Sequence, residues 1–261
     1  MISKHPNDDQ IGEYGMTPEG AGSAAAEKSL AYQGRKASRA KSEHRRRLIL
    51  EAALRIVIRE GVRGIRHRAV AKEADVPLAA TTYYFKDIQE LIVDTFTLYT
   101  EKALSVVNRF TDQFYQPLQQ MAGNHLQILT SGGDVPAEEL GGVLDYLVSQ
   151  LTEYVREQTG NERDMLIAEQ AFRYEAVVND RIRELAMMHR NALFSKIEEF
   201  MQLVSSPTPK EDAEILLGLF HSIEYTTMLM GPEQTDFDHI KSTLKRHLSL
   251  LIPDLLNRRQ G

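Results

Sequence analysis

An all-α fold is the expectation for this chain of 261 residues, with a small helical module near the N-terminus and a larger helical body behind it. Apolar residues recur at i, i+3, i+4 and i+7 in one segment after another, the period of a helix with one buried face. Short breakers separate those segments, and no stretch alternates apolar and polar residues convincingly as a half-buried strand does. With 42% apolar residues the chain can bury one sizeable core plus an appended module.

The elements follow in order. Residues 1–41 are rich in Gly, Ser, Ala and charge and carry no sustained apolar period, so a flexible basic extension is expected there. It ends in GRKASRAKSEHRRR, which is either an arm for phosphate backbone or minor groove, or a solubilising leader. From Ser42, the residues Leu48, Ile49, Ala52, Ala53, Ile56 and Val57 form one apolar stripe, stopped by Gly61. A second helix is expected from Arg66 to Ala74, with Val70 and Ala71 inward. Asp75, Val76 and Pro77 make a turn, since Asp tolerates a left-handed position and Pro suits a helix start. A third helix runs from Leu78 to Phe85. Leu78, Thr81 and Phe85 share its inward face, which leaves Ala79, Thr82, Tyr83 and Tyr84 outside, unless one of the two tyrosine rings packs on the module's own core. Asp87 and Glu90 then form a capping arrangement for a helix from Ile88 to about Thr111. Later breaks lie at SGGDVP (131–136), TGN (159–161), ND (179–180), SSPTP (205–209) and GP (231–232). The expected division is an extension over 1–41, a three-helix module over 42–87 and a body over 88–261.

Charge separates these parts. The total is −6, yet the window from Arg35 to Lys86 holds 14 Lys/Arg against five Asp/Glu, a net of +9, which leaves −15 for the remaining residues. A basic module on an acidic body suits contact of the module alone with a polyanion, because neutralising phosphates releases counterions. Helix–turn–helix spacing and an outer face of methyl groups, a hydroxyl and aromatic rings point to a DNA groove. On charge, Arg45, Arg46, Arg47, Arg66 and Lys86 belong to the DNA-facing set.

The stretch RRRLILEAALRIVIREGVRGIRHRAVAKEADVPLAATTYYFKDIQELI resembles the DNA-binding domain of the tetracycline-repressor (TetR) family of bacterial transcriptional regulators. The likeness rests on a first helix ending in EG, the helix-turn-helix at its distance beyond, and an aromatic–aromatic–Phe–Lys finish before a capped helix. It implies a homodimeric repressor, with two DNA-reading modules and a divergent ligand-binding body. Position by position, it implies that His67, Arg68, Leu78, Ala79, Thr82, Tyr83 and Tyr84 contact a double-stranded operator. The chain departs from the family pattern at Arg66, Asp75, Pro77, Thr82, Tyr84 and Ile88, the last standing where many members carry a phosphate-binding lysine.

In the body, Met121, His125, Tyr146, Tyr154, Met165, Glu169, Phe172 and Arg173 combine Met, aromatic and polar groups suited to a mostly apolar effector cavity, although any single one is more often core than pocket. Glu169 and Arg173, at i and i+4, are equally read as a helix-surface pair. The last two long segments are apolar over wide faces. Either they close a four-helix bundle with their copies in a second subunit, the favoured expectation, through Ile182, Leu185, His189, Leu193, Ile197, Leu216, Phe220, Ile223 and Thr227, or they belong to a larger monomeric core. The chain has no cysteine, so it has no disulfide framework, thiolate metal site or cysteine nucleophile. Its eight histidines lack metal-ligand spacing, and no nucleophile elbow, P-loop or dinucleotide fingerprint occurs. No cofactor, metal or catalytic role is therefore expected. No apolar run would span a bilayer, and the N-terminal MISKHPNDDQIGEYG lacks the apolar stretch of a signal peptide, so the expected compartment is the cytoplasm. Three functions stay open: a ligand-released repressor, a DNA-binding regulator without a small-molecule switch, and an apolar-ligand carrier or enzyme.

Overall fold

The structure, a computed structural model, describes residues 40–122, 137–203 and 206–251. These form α1 (Ala40–Glu60), α2 (His67–Glu73), α3 (Leu78–Tyr84), α4 (Ile88–Ala122), α5 (Ala137–Gly160), α6 (Arg163–Val178), α7 (Asp180–Leu203), α8 (Pro209–Met230) and α9 (Phe237–Leu251). No strand occurs among the described residues. The expected extension and the SGGDVP break lie outside them, except that residues 40 and 41 already belong to α1.

The local signals act as their chemistry requires. Gly61 ends α1 at φ 74°, and Gly231 follows α8 at φ 82°, both in the left-handed region that an L side chain resists. Gly64 is required for a different reason: a Cβ there would sit 2.7 Å from Glu60 Cβ and 2.9 Å from Ile56 Cγ2, so only glycine lets this turn lie on α1. Before α4, the Glu90 amide donates to Asp87 Oδ1 at 2.8 Å and the Lys86 amide donates to Glu90 Oε2 at 2.5 Å, satisfying free donors at the helix start. Helix α4 continues past the expected end near Thr111 to Ala122. It has to, because it serves two cores in succession.

The first core joins Ile49, Ala53 and Ile56 of α1, Val70 of α2, Phe85, and Leu91 and Phe96 of α4 to Ala168 and Phe172 of α6 and Ile182 of α7. The three N-terminal helices therefore share their interior with the body. The second core packs Phe114 of α4 with Leu147, Val148 and Val155 of α5, Met201 of α7, Leu216 of α8, and Leu244 and Leu248 of α9.

The residues expected at a subunit interface need correction. Ile182, His189, Leu216, Phe220, Ile223 and Thr227 are buried inside the protomer, and Leu185, Leu193 and Ile197 are half-buried. The six buried side chains, already covered by their own chain, offer little for a second copy to bury. What α8 leaves open is its opposite stripe, Ile215, Gly218, Ser222, Tyr225 and Leu229, at alternating steps of three and four; Leu229 is 70% exposed. Because α8 is apolar all round, its periodicity alone could not say which face the protomer uses.

Candidate nucleic-acid interface and linked cavity

Helix α2 ends in a Schellman arrangement: the Val76 amide donates to Ala71 O at 3.0 Å and the Asp75 amide to Lys72 O at 3.3 Å, with Asp75 left-handed at φ 51°. This turn aims α3. Pro77 precedes α3 in an extended conformation, with no side-chain cap on the first amides. Thr81 and Phe85 are fully buried beneath the helix, as their spacing predicts. Leu78 departs from its expected inward place and is 43% exposed, because Thr81 and Phe85 already fill the core side. It lies on the outer surface with Ala79, Thr82 and Tyr83, and Tyr83 is 73% exposed. Tyr84 is half-buried: its ring packs against the first core, its hydroxyl meets Ser42 Oγ at 3.1 Å, and it supports Tyr83 edge-on at 5.1 Å. Tyr84 thus serves mainly as the buttress that holds Tyr83 outward.

The basic residues divide in the same way. Arg46 cannot face DNA: it is 1% exposed, pairs with Asp94 and lies over the Phe85 ring at 4.9 Å. The RRR run on a helix sends its three side chains in different directions, and the middle one points into the core. Arg47 is half-exposed and engaged by Glu101 at 3.4 Å and Glu51 at 3.6 Å. Arg55 and Arg59 clamp Glu73 of α2 at 2.8 and 2.9 Å, holding that carboxyl down at about 2 through hydrogen bonds first and charge second. Arg45, Arg66, Arg68 and Lys86 are exposed with no ion pair among the described residues. His67 is half-buried, and its Nδ1 has no partner.

Behind this module lies a cavity of about 140 Å³, walled by α4, α5, α6, α7 and α8. Phe110, Phe114, Tyr154 and Phe220 supply aromatic surface, with Phe110 and Tyr154 centroids 4.7 Å apart and Tyr154 edge-on to Phe220 at 5.8 Å. Of the residues expected to bind a ligand, Tyr154, Met165 and Glu169 line this cavity. Phe172 and Arg173 line a second hollow, which shares Tyr99, Glu169, His189, Leu193, Leu217 and His221 with the first. Tyr146 is on neither wall and packs against the second core. Met121 and His125 lie outside the residues whose side chains are described.

Sequence reasoning missed Gln158, His221 and Glu224 on the first wall. The signal was available: Glu224 and His221 interrupt an otherwise apolar helix, where a charged residue needs a reason. It also placed His189, Leu193, Ile197, Leu216 and Phe220 at an interface, and they line the cavity instead. Burial and then the charge of Glu169 push the Glu224 carboxyl well above the usual range. Burial also raises Glu169, against the opposing charge of Arg173, whose Nη1 is 3.8 Å away. His189 and His221 are lowered to about 4, mainly by burial, and are neutral near pH 7. Among the described residues no cluster of His, Asp or Glu could hold a metal ion.

Solved structures share this arrangement of a helix-turn-helix module on a helical body. A member of the TetR family from Streptomyces coelicolor matches at 22% identity over 78% of this chain and 97% of its own, with a TM-score of 0.51. The fold is that of the TetR family. A regulator of Saccharomonospora viridis, solved in complex with choline, shares the fold at 20% identity over 80% of this chain and 96% of its own, with a TM-score of 0.57. By sequence, the chain is 26% identical to the HTH-type transcriptional regulator PksA of Bacillus subtilis over 214 residues, 81% of this chain and 92% of that protein. No family model matches the chain. No helix among the described residues is long and apolar enough to cross a membrane.

Proposed function

We propose that this chain is a sequence-specific DNA-binding transcriptional regulator that acts as a homodimer and is released from its operator by a small molecule held in the cavity. The observation that carries the reading is the shared wall between reader and cavity. Helices α4 and α6 line the hollows through Tyr99, Glu169 and Phe172, and their next turns enter the core of the helix-turn-helix module. Phe172 sits at the junction, with its ring 4.9 Å from Phe96 and 5.5 Å from Tyr99.

Two readers must meet successive major grooves about 34–36 Å apart. The open stripe of α8 supports pairing of two copies, because a heptad-spaced face with Tyr225 and Leu229 outward buries well against itself. A ligand that spreads α4 from α6 would alter the spacing of the readers, with a coupling of order 1–3 kcal/mol. The exposed Ala79, Thr82 and Tyr83 read bases, while Arg45, Arg66, Arg68 and Lys86 neutralise phosphates. The relatives named as transcriptional regulators, one of them solved with choline, support both halves of this reading.

The test is selection of bound fragments from the source genome with purified protein, followed by affinity measurements against salt. Enriched fragments should share a two-fold-related sequence and outcompete random duplex by at least about 1,000-fold. Fragments with no common sequence, bound no better than random DNA, would overturn the proposal.

A further inference from the structure

The cavity wall carries three polar groups that its own chain leaves unmet, each on a different helix. Glu224 of α8 is 7% exposed, and no described residue donates a hydrogen bond to its carboxylate or pairs with it. Gln158 of α5 and His189 of α7 are 6% and 7% exposed, and the Gln158 Nε2 and His189 Nδ1 have no partner. A buried polar group left without a partner costs its desolvation energy. All three residues line one hollow, and the class of molecule it suits can be read from its charge and its rings.

Charge comes first. Glu169 and Glu224 face the same space, with burial and mutual repulsion acting on Glu224 and only the half-exposed Arg173 opposing. Both neighbouring histidines are neutral, so neither supplies a cation. Lys196 is on the wall but is not among the groups that act on Glu224. One carboxylate is thus left without a counter-charge. Aromatic rings are the second feature: Tyr154 and Phe220 stand edge to face beside Phe110, on the wall that holds Glu224. The negative face of an aromatic ring attracts a desolvated cation.

We infer that the cavity selects a monocationic organic molecule, an amine or quaternary ammonium with an apolar body, its positive charge held between Glu224, Glu169 and the neighbouring rings. Burial favours the protonated form of both carboxyls, and a bound cation competes with that proton. This inference rests on the regulator reading above and names its effector class.

The experiment compares two probes of one shape, benzyltrimethylammonium and the neutral isostere neopentylbenzene, by calorimetry on the full chain. The same preparations are assayed for binding to their selected DNA fragments. Wild type should bind the cation at least about 30-fold tighter than the isostere, and Glu224→Gln should reduce that preference to about 3-fold or less. Glu169→Gln provides a second variant should the first fail to fold, with the same outcome expected. A cation that does not bind, an isostere that binds as well, or a preference that survives both substitutions overturns the inference while DNA recognition stands. Loss of sequence preference for DNA, with the charge preference intact, overturns the regulator reading instead.

Discussion

Replacing Arg46 by alanine should destabilise the fold and leave the electrostatics of DNA binding untouched. Arg46 is 1% exposed, lies over Phe85 and pairs with Asp94, whose side chain is 15% exposed. Removing one partner of a buried pair costs about 3–5 kcal/mol when the other stays charged. Asp94 has a way out, because burial already lifts its carboxyl from 3.8 to about 6, against the lowering effect of Arg46. Its folded value exceeds its unfolded one, so the folded chain holds this proton more tightly. The stability that follows is present below about pH 4 and lost as pH rises through about 6. Without Arg46 nothing opposes the rise, and the carboxyl stays protonated to higher pH. The penalty of Arg46→Ala should therefore grow with pH, from lost packing near pH 5 to roughly 1–2 kcal/mol more at about pH 8, a figure discounted for residual solvent contact. Urea unfolding followed by circular dichroism at both pH values measures this. A salt titration of non-specific DNA binding measures the rest, since a lost phosphate contact lowers the slope by about 0.9. Arg45→Ala is the contrast, expected to lower the slope while shifting stability by less than about 0.5 kcal/mol. If Arg46→Ala lowered the slope by about 0.9 and left unfolding unchanged at both pH values, the buried ion pair would be wrong.

Three further outcomes are expected. Tyr83→Ala should weaken binding to selected fragments by about 1–3 kcal/mol and binding to random duplex by little; equal losses on both would remove Tyr83 from base reading. Tyr225→Glu should convert the proposed dimer to a monomer in sedimentation equilibrium, and a dimer that persists would place the subunit contact elsewhere. His189 and His221 should titrate near 4 by NMR, below their ordinary 6.5. Their contribution to stability is then full above about pH 6.5 and lost as pH falls toward 4, and midpoints near 6.5 would contradict their burial.

The helix-turn-helix was legible because its signals are local. Asp75 and Pro77 set the turn, Gly61 ends a helix, and Asp87 with Glu90 starts one, all through contacts within a few residues. The outward placing of Ala79, Thr82 and Tyr83 followed from period alone, since one buried face implies one exposed face. Leu78 escaped that logic: on so short a helix, the first residue can leave the inward row once Thr81 and Phe85 fill the core.

The body was read less well, for a reason visible in α8. When a helix is apolar all round, period cannot say which face meets its own chain, which meets a cavity and which is left for a second copy. Phe220 and Leu216 were therefore assigned outward and lie inward, while Tyr225 and Leu229 stand open. Arg46 failed in the same way, since a run of like charges does not announce that one member has a buried carboxylate 48 residues away. Sequence by itself determined what short-range chemistry can determine: helix starts and stops, the turn, the charge division and the outer face of the reader. The choice among apolar faces, the burial of Arg46 and the convergence of Gln158, His189 and Glu224 on one hollow belong to tertiary structure, because each depends on which distant helix arrives to cover or expose the side chain.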